Sequence, residues 1–173
     1  PKTILPLFQI NNYDVLIAPT HGGLNQIVNQ HANYKIAATI TYGNFYILSS
    51  GNDKDNALNK DDKILVFQEN DVPGRIFKYC YGDLQLDTTY VDDIKYTKQA
   101  IANNYVFDQV KYDYIFTAEP VVTTTNSKSN VVRKVSEDFQ TKSGCLLWPA
   151  SIFVKTDVDK KALTNLLNTL KED

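Results

Sequence analysis

Residues 112–120 of this 173-residue chain read Tyr-Asp-Tyr-Ile-Phe-Thr-Ala-Glu-Pro, and they predict a buried strand that ends in a polar turn. A continuous apolar run of this length is typical of a strand covered on both faces of a sheet. Residues 13–20 repeat the arrangement as Tyr-Asp-Val-Leu-Ile-Ala-Pro-Thr. Two similar lobes facing each other would produce this internal similarity. The alternative is that the two segments are alike by chance within one β/α protein.

Other short apolar runs alternate with segments of helical periodicity along the chain. Residues 34–50 form the longest strand-like stretch, with a bend expected at Gly43, and residues 64–67 are a further buried strand. Pro73 fits the first turn of a helix, and residues 160–173 carry leucines at the spacing of an amphipathic helix. This alternation predicts an α/β fold with mostly parallel sheets.

The composition excludes several classes of function. Apolar residues make up 43% of the chain, charged residues 22%, and the formal net charge is −2, as in ordinary globular proteins. Without a basic stripe, no nucleic-acid partner is expected. No apolar run approaches the ~18 residues of a membrane span. The sequence starts at Pro1 and contains no Met, so we expect a processed product or a fragment whose targeting signal lies outside it.

Three loops follow predicted strands and precede predicted helices: residues 20–23, 68–74 and 118–120. Ligands of open α/β sheets bind at the carboxyl ends of strands, and helix N-termini offer unpaired N–H groups there. Gly22 would let the backbone approach a ligand closely. The alternative for the first loop is structural, with Thr20 as a helix N-cap and the glycines in a tight turn. As a set, the three loops favour a ligand cleft.

No cofactor, metal or catalytic site is predicted. The two histidines, His21 and His31, have neither the spacing nor the acidic neighbours of a metal site, and no nucleophile motif accompanies them. Residues 52–56 only approach a calcium-loop pattern and are better interpreted as a solvated loop. Cys80 and Cys145 form no CxxC motif; a buried thiol is the simpler interpretation of Cys80, and a disulfide between the two stays open.

Three aromatic residues differ in position from the others. Tyr42, Phe45 and Trp148 lie where long strands would cross between lobes, and aromatic walls provide stacking surface for a small ring or aliphatic ligand.

The order and spacing of five motifs resemble the substrate-binding proteins of ABC transporters, of the broad nitrate, sulfonate, taurine and thiamine-precursor type. The motifs are Asp-Val-Leu-Ile-Ala-Pro-Thr at 14–20, Tyr-Gly-Asn-Phe-Tyr at 42–46, Lys-Ile-Leu-Val-Phe at 63–67 with Val72-Pro73, Asp-Tyr-Ile-Phe-Thr-Ala-Glu-Pro at 113–120, and Trp-Pro-Ala with Phe-Val at 148–154. The strand followed by Ala-Glu-Pro is the most specific of them.

This resemblance implies a periplasmic-binding-protein type II fold, a two-lobed clamp. Residues 1–44 would form part of lobe 1, 45–150 lobe 2, and 151–173 the return to lobe 1, with hinge crossings near 42–50 and 148–154. The family's opening strand and helix and its C-terminal portion are missing or shortened, so lobe 1 is expected to be incomplete.

The resemblance also implies a function: a monomeric, extracytoplasmic protein without enzymatic activity. It would close by a hinge on a small polar or ring-containing ligand and deliver it to a membrane permease. Anchoring would come from an N-terminal lipoprotein signal outside this sequence. The expected ligand-binding residues are Thr20, His21, Gly22, Tyr42, Asn44, Gln68, Val72 and Glu119. The alternatives are the effector-sensing domain of a LysR-type regulator and an enzyme on the same fold. Glu119 would favour an amine-bearing ligand, unless it only pairs with a helix N-terminus.

Overall fold

The computed structural model describes residues 3–51 and 57–172; the calcium-like segment 52–56 lies outside the described residues. Ten strands and seven α-helices are formed in this part of the chain. In chain order they are α1 (Leu7–Ile10), β1 (Val15–Pro19), α2 (Thr20–Gln30), β2 (Tyr34–Thr39), β3 (Phe45–Ser49), β4 (Lys63–Phe67), α3 (Val72–Tyr81), β5 (Asp87–Val91), α4 (Ile94–Ala102), β6 (Val106–Phe107), β7 (Val110–Lys111), β8 (Tyr114–Ala118), α5 (Val121–Thr124), β9 (Asn130–Lys134), α6 (Val135–Ser143), β10 (Ala150–Lys155) and α7 (Lys160–Glu172).

The chain divides into two compact units. Unit 1 comprises Pro1–Tyr42 and Trp148–Asp173, and unit 2 comprises Gly43–Leu147. That these units act as the lobes of a clamp stays a prediction.

Unit 1 is built on a three-stranded sheet of order β1-β10-β2, in which both pairings are antiparallel. Phe153 of the central strand is fully buried, and the ring of Phe8 from α1 packs edge-on against it with centroids 5.2 Å apart. Leu16, Ala18 and Tyr34 complete this core.

Unit 2 contains the larger sheet, of order β5-β4-β8-β3-β9. Strands β5, β4 and β8 are mutually parallel, whereas β3 is antiparallel to both β8 and β9. The central strands carry fully buried residues such as Ile64, Ile115 and Phe116. α3 and α6 contribute to the core on one face, and α4 to that on the other.

The α/β class is confirmed, but parallel pairing is confined to the β5-β4-β8 part of the larger sheet. Strand β1 also differs from expectation, because it lies at a sheet edge and leaves Ile17 51% exposed. Strand β8, which lies in the similar segment 112–120, is buried along its whole length. The two similar segments therefore have different environments, which local sequence does not distinguish.

Local signals explain where the helices of unit 2 begin and end. Pro73 lies in the first turn of α3, where its missing N–H needs no partner. Asp93 caps α4 by accepting the Lys95 N–H at 2.8 Å. α6 ends at Gly144, which adopts the left-handed conformation with φ 71°. No helix within the described ranges has the length and apolar character needed to cross a membrane.

Candidate functional site

Thr20 joins the end of β1 to the start of β10 in unit 1. Its hydroxyl lies 2.7 Å from the Ser151 hydroxyl, and its N–H donates to the Pro149 carbonyl at 3.0 Å. The helix N-cap is Pro19, so the N-cap interpretation of Thr20 is wrong. His21 follows as an exposed residue of the first helical turn. This pair follows β1, but β1 pairs antiparallel with β10, so the rule for the carboxyl ends of parallel strands does not apply and the ligand contact stays a prediction.

The glycines of α2 allow close packing inside unit 1. A Cβ on Gly22 would lie 2.8 Å from Leu5 Cδ2, and one on Gly23 would lie 2.2 Å from Phe153 Cζ. Both glycines are buried. This packing accounts for their small size, so the ligand contact assigned to Gly22 stays a prediction without support from its surroundings.

The three aromatic residues singled out in the sequence fall into two environments. Tyr42 and Trp148 of unit 1 are 47% and 49% exposed. Phe45 of unit 2 is buried and stacks on Phe116 with centroids 5.6 Å apart. Phe45 is therefore a core residue, and the expectation that it forms a ligand wall is wrong. Alternation along β3 turns it into the sheet's core.

Several predicted site residues of unit 2 meet at one side of the larger sheet. Because β5, β4 and β8 are parallel, their carboxyl ends lie together, and antiparallel β3 begins and β9 ends at the same side. Asn44 and Glu119 are directly joined there, since the Glu119 N–H donates to the Asn44 carbonyl at 3.2 Å. We call this side the carboxyl edge; it comprises Asn44, residues 68–71, Asp92, Asp93, Glu119 and Lys134.

Gln68 starts a tight loop that folds back onto α3. Its φ of 55° is left-handed, its N–H donates to the Val91 carbonyl at 2.7 Å, and its carbonyl accepts from the N–H of Gly74 at 3.1 Å. Gly74 is buried, and a Cβ there would lie 2.4 Å from the Glu69 carbonyl oxygen. Only glycine fits this approach. Val72 is the first residue of α3, and its side chain packs partly into the core. Only the part of this side chain that stays exposed could contact a ligand.

The Glu119 carboxylate caps the short helix α5. One oxygen accepts the Thr123 N–H at 3.1 Å and the Thr123 hydroxyl at 2.9 Å. The pairing of Glu119 with a helix N-terminus, which is the structural alternative to a ligand contact, is therefore present in the molecule. A carboxylate has two oxygens and about four acceptor positions, so this cap leaves acceptor capacity at an exposed residue.

An open groove of about 430 Å³ lies along the carboxyl edge. Its lining includes three acidic residues, Glu69, Asp71 and Asp92, and the aromatic Tyr90. Lys78 pairs with Glu69 at 2.9 Å and lies 5.2 Å from the centroid of the Tyr90 ring. The hydrogen bond to Glu69 raises the pKa of Lys78. Lys78 therefore contacts two residues, Glu69 and Tyr90, that also line the groove.

Asn44 contributes an unusual polar atom to this edge. Its side-chain oxygen is buried and accepts no hydrogen bond from the described residues. An unsatisfied buried acceptor costs roughly 1–3 kcal/mol, so such atoms in native proteins call for an explanation. A donor supplied by a ligand is one.

Sequence reasoning missed Asp92 and Lys134 at the carboxyl edge and Tyr90 in the lining of the groove. A signal existed for Asp92, because it directly follows a strand, β5, as Glu119 directly follows β8. Lys134 could not be recognised from its position after a strand, because neither β9 nor α6 was predicted.

Two features bear on metal or thiol chemistry in the described ranges: the grouping of metal-ligating side chains and the state of the two cysteines. Within 3–51 and 57–172, no three His, Cys, Asp or Glu residues form a group that could hold a metal ion. Cys80 and Cys145 are both free thiols. Burial raises the pKa of Cys80 to about 11, which suppresses the reactive thiolate.

Comparisons with known proteins identify the fold. No protein-family model and no curated protein matches the sequence. The structure of an ABC transporter from Parabacteroides distasonis matches with a TM-score of 0.74 and 16% identity, over 99% of this chain and 58% of that one. The second substrate-binding domain of a proposed amino acid ABC transporter from Streptococcus pneumoniae matches at 0.66 and 12%, over 99% and 71%.

A third match is the bromide-bound regulatory domain of HypT from Salmonella typhimurium, with a TM-score of 0.57 and 10% identity, over 99% of this chain and 77% of that one. The chain thus has a periplasmic-binding-protein-like fold and spans 58% of the length of the Parabacteroides protein. At these identities the likeness concerns the fold alone.

Proposed function

We propose that this chain is the solute-binding component of an ABC importer, which captures a small polar or ring-containing ligand by hinge closure and does not transform it. The observation that carries the proposal is the meeting of Asn44, Gln68 and Glu119 at the carboxyl edge of the larger sheet. In open α/β sheets this is where ligands bind. The fold shared with ABC substrate-binding domains supports the same function.

The proposed contacts are of two kinds. In unit 2, Asn44, Gln68 and Glu119 supply acceptors, and the N-terminal turn at Val72 borders them. In unit 1, Thr20 and His21 at the end of β1 and the exposed ring of Tyr42 supply polar and aromatic surface. Gly22 is retained only as a predicted backbone contact.

The biological setting is also part of the proposal. The protein would act as a monomer outside the cytoplasm, anchored by a lipoprotein signal beyond this sequence, and would deliver its ligand to a membrane permease. That this chain belongs to the nitrate, sulfonate, taurine and thiamine-precursor type, as the sequence resemblance implies, stays a hypothesis.

A second candidate function is the sensing of a small effector inside the cell. The match to the HypT regulatory domain favours it, because the same fold serves there in regulation. Both functions require ligand binding without turnover, so they differ in partners rather than in the site.

The test is a thermal-shift screen of the chain against sulfonates, nitrate, thiamine precursors, amino acids and divalent metals. A ligand at 100-fold its Kd stabilises the folded state by roughly 2.7 kcal/mol, which raises the Tm of a chain this size by roughly 5–10 °C. Replacing Asn44→Ala should abolish the shift. The control Asn103→Ala, exposed at the opposite end of α4, should keep it. A ligand that is chemically consumed, or silence across the panel, would contradict the proposal.

A further inference from the structure

An open cavity of about 670 Å³ lies in unit 2 between the end of α3, strand β9 and α6. Its lining includes Cys80 and Tyr81 of α3, Arg133 of β9 and Lys142 of α6. None of the residues that line it belongs to the carboxyl edge. Sites for small molecules typically have volumes of about 300–1,000 Å³, so this cavity has room for a small organic ligand.

Arg133 gives this cavity a cation without a partner. The residue is only partly exposed, and its guanidinium forms no hydrogen bond or ion pair with the described residues. A guanidinium carries five N–H donors, and withdrawing it from water without an acceptor costs free energy. Arg75 differs, because it is exposed and its Nε donates to the Asn70 carbonyl at 3.2 Å. Arg133 therefore has donors that a ligand anion can use.

The carboxylate that shares the cavity is engaged by another residue. The hydroxyl of the buried Tyr81 donates to Asp138 Oδ2 at 2.5 Å. Lys142 pairs at 2.8 Å with Asp83, which does not line the cavity. Burial raises the pKa of Cys80 to about 11, so this thiol adds no negative charge near neutral pH. Two cations against one carboxylate in the lining favour an anionic ligand.

Other parts of the lining are apolar. Leu58 packs partly against the core of unit 2, and Leu84 is 39% exposed at the wall of the cavity. A planar guanidinium binds a carboxylate through two parallel hydrogen bonds, a geometry that a single ammonium group does not offer. A carboxylate that carries a short apolar chain or ring therefore matches both the cation and the apolar wall.

We propose that this cavity binds a small organic carboxylate, with Arg133 as the counter-charge and with Leu58 and Leu84 against the apolar part of the ligand. It is a second binding site, which goes beyond the proposed solute-binding function and does not depend on it. Lys142 lies in the same lining and adds a further positive charge. Because Cys80 also lines the cavity, a bound carboxylate would shield its thiol.

The experiment uses the two thiols of the folded chain as reporters. Cys80 lines the cavity and Cys145 does not, so only Cys80 should respond to occupancy. The probes are hexanoate and benzoate, and hexanol and benzyl alcohol are their uncharged matches. Alkylation by iodoacetamide at about pH 9 is followed by mass spectrometry. An acid at about ten times its Kd should slow the alkylation of Cys80 by about 10-fold and leave Cys145 unchanged, whereas the alcohols should protect neither thiol.

Substitutions of the two arginines test the counter-charge. Arg133→Gln should weaken acid binding, measured by calorimetry, by roughly 10-fold or more, because a charged bidentate contact is lost. Arg133→Lys should retain only part of the affinity, since an ammonium group lacks the planar fork. Arg75→Gln is the matched control, because it removes a guanidinium outside the cavity and should bind the acid like the wild type. Circular dichroism checks that each variant is folded.

Protection by neither acid, equal protection of both thiols, protection by the alcohols, or unchanged affinity in Arg133→Gln would overturn the inference. So would coupling between Arg133→Gln and Asp138→Asn in urea unfolding of the free protein, because Arg133 would then already be paired. Acid binding that is lost in Asn44→Ala but kept in Arg133→Gln would assign the acid to the carboxyl edge. That result would overturn the second site while supporting the solute-binding function, which the thermal-shift screen tests separately.

Discussion

Replacing Gly74 by alanine should destabilise the protein and disturb the loop that carries Gln68. The added Cβ would lie 2.4 Å from the Glu69 carbonyl oxygen, 2.5 Å from Glu69 Cα and 2.6 Å from the Gln68 carbonyl oxygen. All three are backbone atoms, so no flexible side chain can swing away to make room. The loop itself must move, and the hydrogen bond from the Gly74 N–H to Gln68 is strained with it.

The expected size of the effect follows from two opposing contributions. Overpacking of a well-packed site costs about 1–3 kcal/mol, while alanine in place of glycine gains up to about 1 kcal/mol within a helix. Because Gly74 lies in the first turn of α3, the gain is smaller there and the packing contribution dominates. We expect the free energy of unfolding to fall by about 2 kcal/mol and the Tm by roughly 4–8 °C.

Gly82 provides the control for this experiment. It follows the same helix with φ −58°, and a Cβ there would meet nothing within 4 Å. Gly82→Ala should therefore be neutral or stabilising by roughly 0.4–1 kcal/mol, since it restricts only the unfolded chain. Urea unfolding followed by circular dichroism measures both variants. Equal midpoints for Gly74→Ala and Gly82→Ala would refute the steric reasoning.

Three further outcomes are expected. Iodoacetamide at pH 8 should label Cys145, which is exposed, well before Cys80, because a pKa of about 11 leaves about one Cys80 thiol in a thousand ionised; equal rates by mass spectrometry would contradict this. Burial raises the pKa of Tyr81 above its ordinary 10.0, so the folded state retains a proton that the unfolded chain loses. The free energy of unfolding should fall as the pH rises above about 10, and it should fall less steeply in the Tyr81→Phe variant. If the urea midpoints of wild type and variant change in parallel from pH 8 to 11, the linkage is disproved. Gly23→Ala should lower the unfolding free energy by about 1–3 kcal/mol, because its Cβ would lie 2.2 Å from the buried Phe153 ring; wild-type urea stability would count against it.

Much of the secondary structure could be predicted because it depends on local patterns. The apolar run at residues 64–67 lies in β4, and that of 112–117 lies largely in β8. Asp71 and Pro73 mark the start of α3, as N-caps and first-turn prolines do. β9 and α6 were missed because too few of their residues are buried to form an apolar pattern in the sequence. Only Val132 of β9 and Val135 and Ser136 of α6 are buried.

The candidate site could be predicted in part. Glu119 and Gln68 were found because each directly follows a buried strand, and that position is visible in the sequence. The roles of Phe45 and Gly22 were not, because burial against Phe116 or Leu5 depends on residues far away in the chain.

The sequence by itself determined many of the strands and helices and several of the polar residues that follow them, because the spacing of apolar residues and the capping residues act within a few positions. Only the tertiary structure decided that β10 lies between β1 and β2, that β3 runs antiparallel to β8, and that Asn44 and Glu119 therefore meet. Strand partners and directions depend on long-range packing and on the paths of the connections. A buried apolar run looks the same in the sequence whichever neighbour covers it.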